Sequence, residues 1–408
     1  MPYETYTVAD VKQKSSEELF DVISCFAGGG GSSTGYRLAG GKILLINEFV
    51  EEAIASYSEN YPDTPVLADD IKKYSGGDFL EMAGVKKGEL DILDGSPPCS
   101  AFSVSGIVEK GWEGYQEDTR KTYFDDDGNI VHEGELKEAR TGEKRYSTTS
   151  QSGVEDLFLE FIRVAKDIQP KVIIAENVKG ITFGEARAKL FEFIKSFEAI
   201  DYEVTYKVLN AADYGVAQGR ERTIFICIRK DVCEEIGLNI LNLNGVFPDP
   251  TGKRIGMEEG LDGIVNDPEE VQMLRDYYEG SFQKNYMDRV PFRPEKHTKP
   301  SHPQFRDWNP KGSCFNMIRP APKLPCPTLT QAGQRRTASG VFHYEHNRKL
   351  TILEMKRLMS LPEDYKLTGP FDRQAERIGR MVAPKMMSAV AASVYEKVLK
   401  PYNELKGL

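Results

Sequence analysis

The run Leu19 to Phe26 (LFDVISCF) stops abruptly at Ala27-Gly28-Gly29-Gly30-Gly31-Ser32-Ser33-Thr34-Gly35, and that junction constrains the fold more than any other stretch. A β-branched and aromatic run of this length reads as a buried strand. Glycines without a Cβ let a ligand approach the backbone, and Ser32 to Thr34 can cap the helix that follows. A second strand, Lys42 to Ile46, ends in Asn47-Glu48, and after a helix over Glu51 to Tyr57 the run Pro65-Val66-Leu67-Ala68-Asp69-Asp70-Ile71 again ends in acids. Strands alternating with helices and ending in polar residues predict an α/β fold, a doubly wound parallel sheet with ligands at the strand ends. An acid about 20 residues beyond the glycines is where such folds hold ribose hydroxyls. A flexible loop and a nucleotide-binding turn both remain open for the glycines alone.

The next apolar run, Leu90 to Leu93, leads into Asp94-Gly95-Ser96-Pro97-Pro98-Cys99-Ser100-Ala101-Phe102-Ser103. Two consecutive prolines can continue neither a ladder nor a helix, so they fix where the next side chain points. That side chain is a thiol, and a cysteine held rigidly at a strand end is a candidate nucleophile. An incidental packing cysteine is the competing reading. The six cysteines, Cys25, Cys99, Cys227, Cys233, Cys314 and Cys326, lack paired spacing, which argues for a reducing compartment and against a disulfide framework or a zinc site. His297 and His302 with Cys314 and Cys326 match no common zinc pattern either. No run has membrane length and the start carries no apolar segment, so the chain is expected to be cytoplasmic, with no membrane and no metal among its partners.

At 408 residues the chain has room for two domains, one of them discontinuous. Its net charge of −10 argues against nucleic acid, yet the distribution matters more than the sum. Lys284 to Lys349 holds thirteen Lys and Arg against four Asp and Glu, interleaved with Phe292, Phe305, Trp308, Phe315 and Phe342. This is a basic, aromatic-bearing module on an acidic body, or a solvated loop-rich face.

Between Ser103 and Gly153 the periodicity lapses, apart from a hairpin over Lys121 to Val131, and a segment of this length after a candidate nucleophile reads as a lid. Regularity returns with a helix over Val154 to Lys166, a strand over Lys171 to Ala175 ending in Glu176-Asn177-Val178, and a helix over Glu185 to Phe197. Strands Tyr202 to Leu209 and Thr223 to Arg229 flank NAADYGVAQGRER. Arg220 and Arg222 share one face by strand periodicity, as functional groups or as edge-strand charge.

Taken in order, FAGGGGSSTG, INE, DGSPPCSAFS, ENV, NAADYGVAQGRER, PTLTQAG, LTILEMKRLMSLPEDY and RIGRMVAP resemble the motifs of the cytosine-5 DNA methyltransferases over most of the chain. The resemblance implies a Rossmann-like methyltransferase sheet that binds S-adenosyl-L-methionine and a smaller inserted target-recognition domain. It divides the chain into a catalytic domain at 1–230 with a long lid at 100–153, a target-recognition domain at 231–349, and a returning segment at 350–408. The implied partner is double-stranded DNA, bound by a monomer. Cys99 is implied to attack carbon 6 of a flipped cytosine, Glu176 to serve ring nitrogen 3 and the exocyclic amine, and Arg220 and Arg222 to support the base carbonyl and the catalytic loop. Phe26, Gly28 and Gly30 are implied to surround the methionine part of the cofactor, Glu48 to hold the ribose, and Asp70 and Ile71 to read the adenine, with Pro97 beneath. An RNA cytosine-5 methyltransferase would share this chemistry. A nicotinamide dehydrogenase would share only the glycine turn and Glu48.

Two departures from the family pattern are minor or uninformative: Ala217 replaces a usual proline, and the lid is long. Arg380 is different, because it stands where the family carries asparagine near the reactive end of the cofactor. A guanidinium beside a sulfonium costs on the order of 4 kcal/mol at about 4 Å with an effective dielectric near 20, unless an acid pairs with it. Carboxy-S-adenosyl-L-methionine would remove the conflict, because Arg grips a carboxylate with two parallel bonds. Arg380 is therefore a candidate cofactor residue, and carboxymethyl transfer an alternative to methyl transfer. The other reading has Arg380 turned to an acid or to solvent.

Overall fold

The computed structural model describes residues 3–97, 157–184, 186–288, 290, 293–298 and 317–407, with backbone only at 121–124, 130–133, 149–156 and 285–286. Eleven strands are defined in it: β1 Asp21–Cys25, β2 Lys42–Asn47, β3 Val66–Leu67, β4 Ile92–Gly95, β5 Lys121–Phe124, β6 Ile130–Glu133, β7 Val172–Val178, β8 Tyr202–Asn210, β9 Gln218–Gly219, β10 Glu221–Arg229 and β11 Cys326–Pro327. Seven form one sheet in the order β3-β2-β1-β4-β7-β10-β8. Only β10 runs against its neighbours in that sheet, pairing antiparallel with both β7 and β8. The parallel doubly wound sheet expected from sequence is thus present, with one reversed strand near its edge.

Successive side chains of a strand point to opposite faces, and the apolar residues obey that rule. Val22, Ile92, Ile174 and Ile226 enter one core with Tyr36, Met387 and Val390, whereas Ile23, Leu93, Ile173 and Phe225 enter another with Phe79, Phe158, Phe161 and Phe197. Helices Gly31–Leu38, Ile352–Leu358 and Pro384–Val394 therefore cover one face. Helices Gly76–Ala83, Thr149–Ile168 and Ala186–Glu198 cover the other. Burial on both faces explains the near-continuous apolar runs read in the sequence.

Helix Thr149–Ile168 begins five residues before the expected Val154, and Gly76–Ala83, closed by a Ser75 capping box, was not expected at all. Its N-cap signal, Ser followed three residues later by Asp78, is visible in the sequence once the strand before it is placed. The backbone of β5 and β6 forms the expected antiparallel hairpin. The rest of the 100–153 lid up to residue 148, and most of the aromatics of the basic module, lie outside the described residues. Within 231–349, Tyr278, Met287, Val290, Met317 and Phe342 make a small core of their own, while Val232, Leu243, Met257 and Leu329 join the core of the main sheet.

Candidate active site

Of the residues singled out from sequence, Phe26, Gly28 and Gly30 follow β1, Glu48 follows β2, Asp70 and Ile71 follow β3, Pro97 follows β4 and Glu176 lies near the end of β7. The chain leaves β1 through Phe26, which adopts a left-handed φ of 55°, and Gly28, also at φ 55°. A Cβ at Gly28 would meet nothing closer than 4.0 Å, so its backbone is open to a ligand. Gly30, at φ 88°, caps helix Gly31–Leu38 without any side-chain bond. The Tyr365 hydroxyl donates to the Gly29 carbonyl at 2.5 Å and fixes the turn from the C-terminal side.

At the end of β2, Glu48 is buried and fully engaged. Its Oε2 accepts the Gly28 N–H at 2.8 Å, and Oε1 accepts the Phe49 and Val50 N–H groups at 2.8 and 2.9 Å. Phe49 next to it is 57 % exposed, an unusual position for a phenyl ring and a flat apolar surface beside the acid. Sequence reasoning passed over Phe49. At the end of β3, Asp70 caps a short 3-10 turn by accepting the Lys72 N–H at 3.0 Å, and Ile71 is buried. The Asn47 amide donates to the carbonyls of Leu67 and Asp69, which holds the β2 and β3 ends together. An open glycine backbone, a carboxylate and an exposed ring at adjoining strand ends fit a ligand with a sugar and a purine, such as the S-adenosylmethionine that the resemblance implies.

At the end of β4 lies a feature quoted in the sequence but not singled out there. Asp94 is buried and accepts three hydroxyls, from Ser24 at 2.6 Å, Ser32 at 2.9 Å and Tyr36 at 3.0 Å. Burial pushes its carboxyl up to about 6, with the three hydroxyls opposing. This cluster joins β1, β4 and the helix after the glycine turn. Pro97, two residues past β4, is buried, while Cys99 lies outside the described residues. Four other cysteines are buried and unpaired, and burial raises every one of their thiols, that of Cys233 to about 12. None of these four has the environment of a thiolate nucleophile.

The register of β4 with β7 sets Gly95 opposite Ala175, so Glu176 stands level with the start of the Ser96-Pro97 turn. Arg222 on β10 meets Glu176 with Nε to Oε1 at 2.6 Å, both side chains being largely buried. Desolvation lowers the Arg222 pKa and Glu176 opposes that fall. Arg220, 1 % exposed, binds no acid among the described residues: it donates to the carbonyls of Leu329 at 3.0 Å and Gly379 at 3.0 Å. It therefore ties the PTLTQAG and RIGRMVAP segments to the sheet.

Arg380 ends helix Phe371–Arg380 with its side chain 60 % exposed, and its Nη2 contacts Glu376 Oε1 at 2.8 Å. The other oxygen of Glu376 receives Arg335 at 3.3 Å and Arg373 at 3.2 Å. An acid does pair with Arg380, as the second sequence reading required, although that acid is shared by three guanidinium groups. Among the described residues there is no cluster of three or more potential metal ligands, and no helix is long and apolar enough to cross a membrane.

The profile described as C-5 cytosine-specific DNA methylase matches residues 20–134 and 141–396. The chain is 31% identical to the type II methyltransferase M1.HphI of Haemophilus parahaemolyticus, over 91% of this chain and 86% of that protein. It is 27% identical to M.DdeI of Desulfomicrobium norvegicum over 92% of this chain and 88% of that one. Among solved structures, an E. coli prophage protein described as a DNA modification methyltransferase superposes with a TM-score of 0.63 at 19% identity, covering 93% of this chain and 99% of that one. That superposition carries the fold, and the profile together with the relatives carries the family. This chain belongs to the C-5 cytosine-specific DNA methylase family.

Proposed function

We propose that the chain is a DNA cytosine-5 methyltransferase, acting on a cytosine flipped out of duplex DNA through a covalent bond to Cys99. The observation that carries this reading is the buried Glu176–Arg222 pair, set by sheet register beside the turn that leads to Cys99. Carbon 5 of cytosine is a weak nucleophile until something adds to carbon 6. The Cys99 thiolate forms the bond to carbon 6, and the electron pair of the 5,6 double bond moves into the ring. Glu176, fixed through one oxygen by Arg222, serves ring nitrogen 3 and the exocyclic amine as charge develops there. S-adenosylmethionine, when bound, would supply a methyl group on a sulfonium for carbon 5 to capture, the sulfur keeping the bonding pair and leaving as the neutral thioether of S-adenosylhomocysteine. Loss of the carbon 5 proton and expulsion of Cys99 restore the aromatic ring. Arg220 holds the C-terminal motifs against this centre.

Glu48, Phe26, Gly28, Gly30, Asp70, Ile71 and Pro97 form the cofactor cradle in this reading. Segment 231–349 reads the DNA, the lid at 100–153 closes over the flipped base, and 350–408 completes the catalytic domain. The type II relatives favour a role as the modifying half of a restriction-modification pair. Incubating the protein with duplex DNA and S-adenosylmethionine, then weighing the nucleosides, should yield 5-methylcytosine. Modification of tRNA but not of duplex DNA would shift the substrate to RNA.

Carboxymethyl transfer from carboxy-S-adenosylmethionine is the second reading. Glu376 neutralises part of the charge on Arg380, which weakens the original reason for it. Three guanidinium groups on one carboxylate leave a surplus of positive charge, which is the observation in its favour. Offering both cofactors at equal concentration and weighing the product decides between them.

A further inference from the structure

Helix Phe371–Arg380 carries Arg373, Arg377 and Arg380, and Arg335 and Arg336 reach its acids from an earlier segment, so that among the described residues four of these five arginines have acids. Arg335, Arg373 and Arg380 share Glu376, and Arg336 meets Asp372. Arg377 has none. It is only 8 % exposed, and its Nε is buried without an acceptor among the described residues. A buried guanidinium left unpaired costs several kcal/mol in general, so such a group is expected where an anion arrives from outside.

The position of Arg377 says which anion. Its Cγ and Cδ run so close over the glycine turn that a Cβ on Gly29 would lie 2.9 Å from each. The carboxylates that act on it electrostatically are Glu52, Glu376 and Glu48, the first at the start of helix Glu51–Asn60 and the last at the end of β2. The stem of Arg377 thus lies across the glycine turn, with the carboxylates of Glu48 and Glu52 near enough to favour its charge. The carboxylate on the amino-acid end of a small ligand lying on the turn would come beside it.

We propose that Arg377 grips the α-carboxylate of the cofactor's methionine end. The inference rests on the cofactor reading above. It makes Arg377 a binding residue, separate from Glu48 at the ribose. The carboxylate neutralises the guanidinium, so a cation in this place favours binding of the zwitterionic end without adding net charge near the sulfonium.

Calorimetry on the full chain tests it without turnover, using S-adenosyl-L-homocysteine, which has the carboxylate, and 5′-methylthioadenosine, which lacks it. Arg377→Gln should weaken the first by about ten- to a hundredfold, as expected for a lost charge-assisted bond, and leave the second within about twofold. Arg377→Lys, which keeps the charge but loses the fork, should fall between. Equal loss on both ligands, or no loss on either, overturns the proposal. So does loss of duplex DNA affinity with S-adenosyl-L-homocysteine binding intact. If Arg377→Gln does not fold, the wild type still decides: binding decarboxylated S-adenosylmethionine as tightly as S-adenosylmethionine overturns it. Wild type that binds neither nucleoside contradicts the cofactor reading itself.

Discussion

Asp94 and Glu176 are buried carboxylates on neighbouring strands of one sheet, and they are held in opposite ways. Asp94 accepts three neutral hydroxyls and has no cation among the described residues, so burial dominates and favours its protonated form. Glu176 has the Arg222 guanidinium at 2.6 Å. The first arrangement fastens β1, β4 and a helix together. The second sets an ion pair beside the place where the substrate base is proposed to sit.

If that contrast is correct, the two carboxylates respond differently to removal of charge. Glu176→Gln should lower the DNA modification rate by about 10²- to 10⁴-fold, the range for loss of a positioned acid-base group, and should also cost stability, because it leaves the buried Arg222 guanidinium without a counter-charge. Asp94→Asn, which keeps the size of the side chain, should leave the rate within about tenfold. A comparable collapse in both variants would erase the distinction. Next in size, Arg222→Ala strips the cation from a buried acid and should destabilise the fold by about 3–5 kcal/mol in urea melts. A loss under about 1 kcal/mol would mean that Glu176 is solvated.

The pH dependence sharpens the comparison further. The folded-state pKa of Asp94 is raised from 3.8 to about 6, so between those values the native state keeps a proton that the unfolded chain has released. Its contribution to stability is therefore greatest below pH 4 and is lost as pH rises through 6, by about 3 kcal/mol for a shift of about two units. Urea melts across this range should show that slope in wild type and not in Asp94→Asn, with the remaining carboxylates as a common background. Smallest of all, Arg380→Asn should change stability by less than about 1 kcal/mol, because the pair is exposed on the arginine side. Under methyl transfer its product is unchanged; under carboxymethyl transfer it loses its preference for the carboxylated cofactor.

The same two carboxylates show what a sequence discloses. Glu176 was legible because it ends an apolar run and stands in a motif, and the strands were legible because both faces of the sheet are buried. The role of Asp94 was not, since its partners Ser24, Ser32 and Tyr36 lie 58 to 70 positions away and only the β1–β4 pairing brings them together. The acid for Arg380 was within reach: Glu376 precedes it by four on a helix, the spacing at which side chains meet. Arg377 gave no signal, because being unpaired in a crowd of paired arginines is a property of packing. The reversal of β10 was likewise hidden, since apolar alternation reads the same in either direction.

The account turns on a sulfur–carbon bond between position 99 and the target base. A duplex carrying 5-fluorocytosine at the modified position blocks the last elimination, because fluorine does not leave as a proton does. Mixed with S-adenosylmethionine and wild-type protein, such a duplex should give a complex that survives denaturing electrophoresis and is absent with Cys99→Ser. A wild-type protein that methylates ordinary duplex DNA yet leaves the fluorinated duplex free, or a Cys99→Ser protein that still methylates at the wild-type rate, would contradict it.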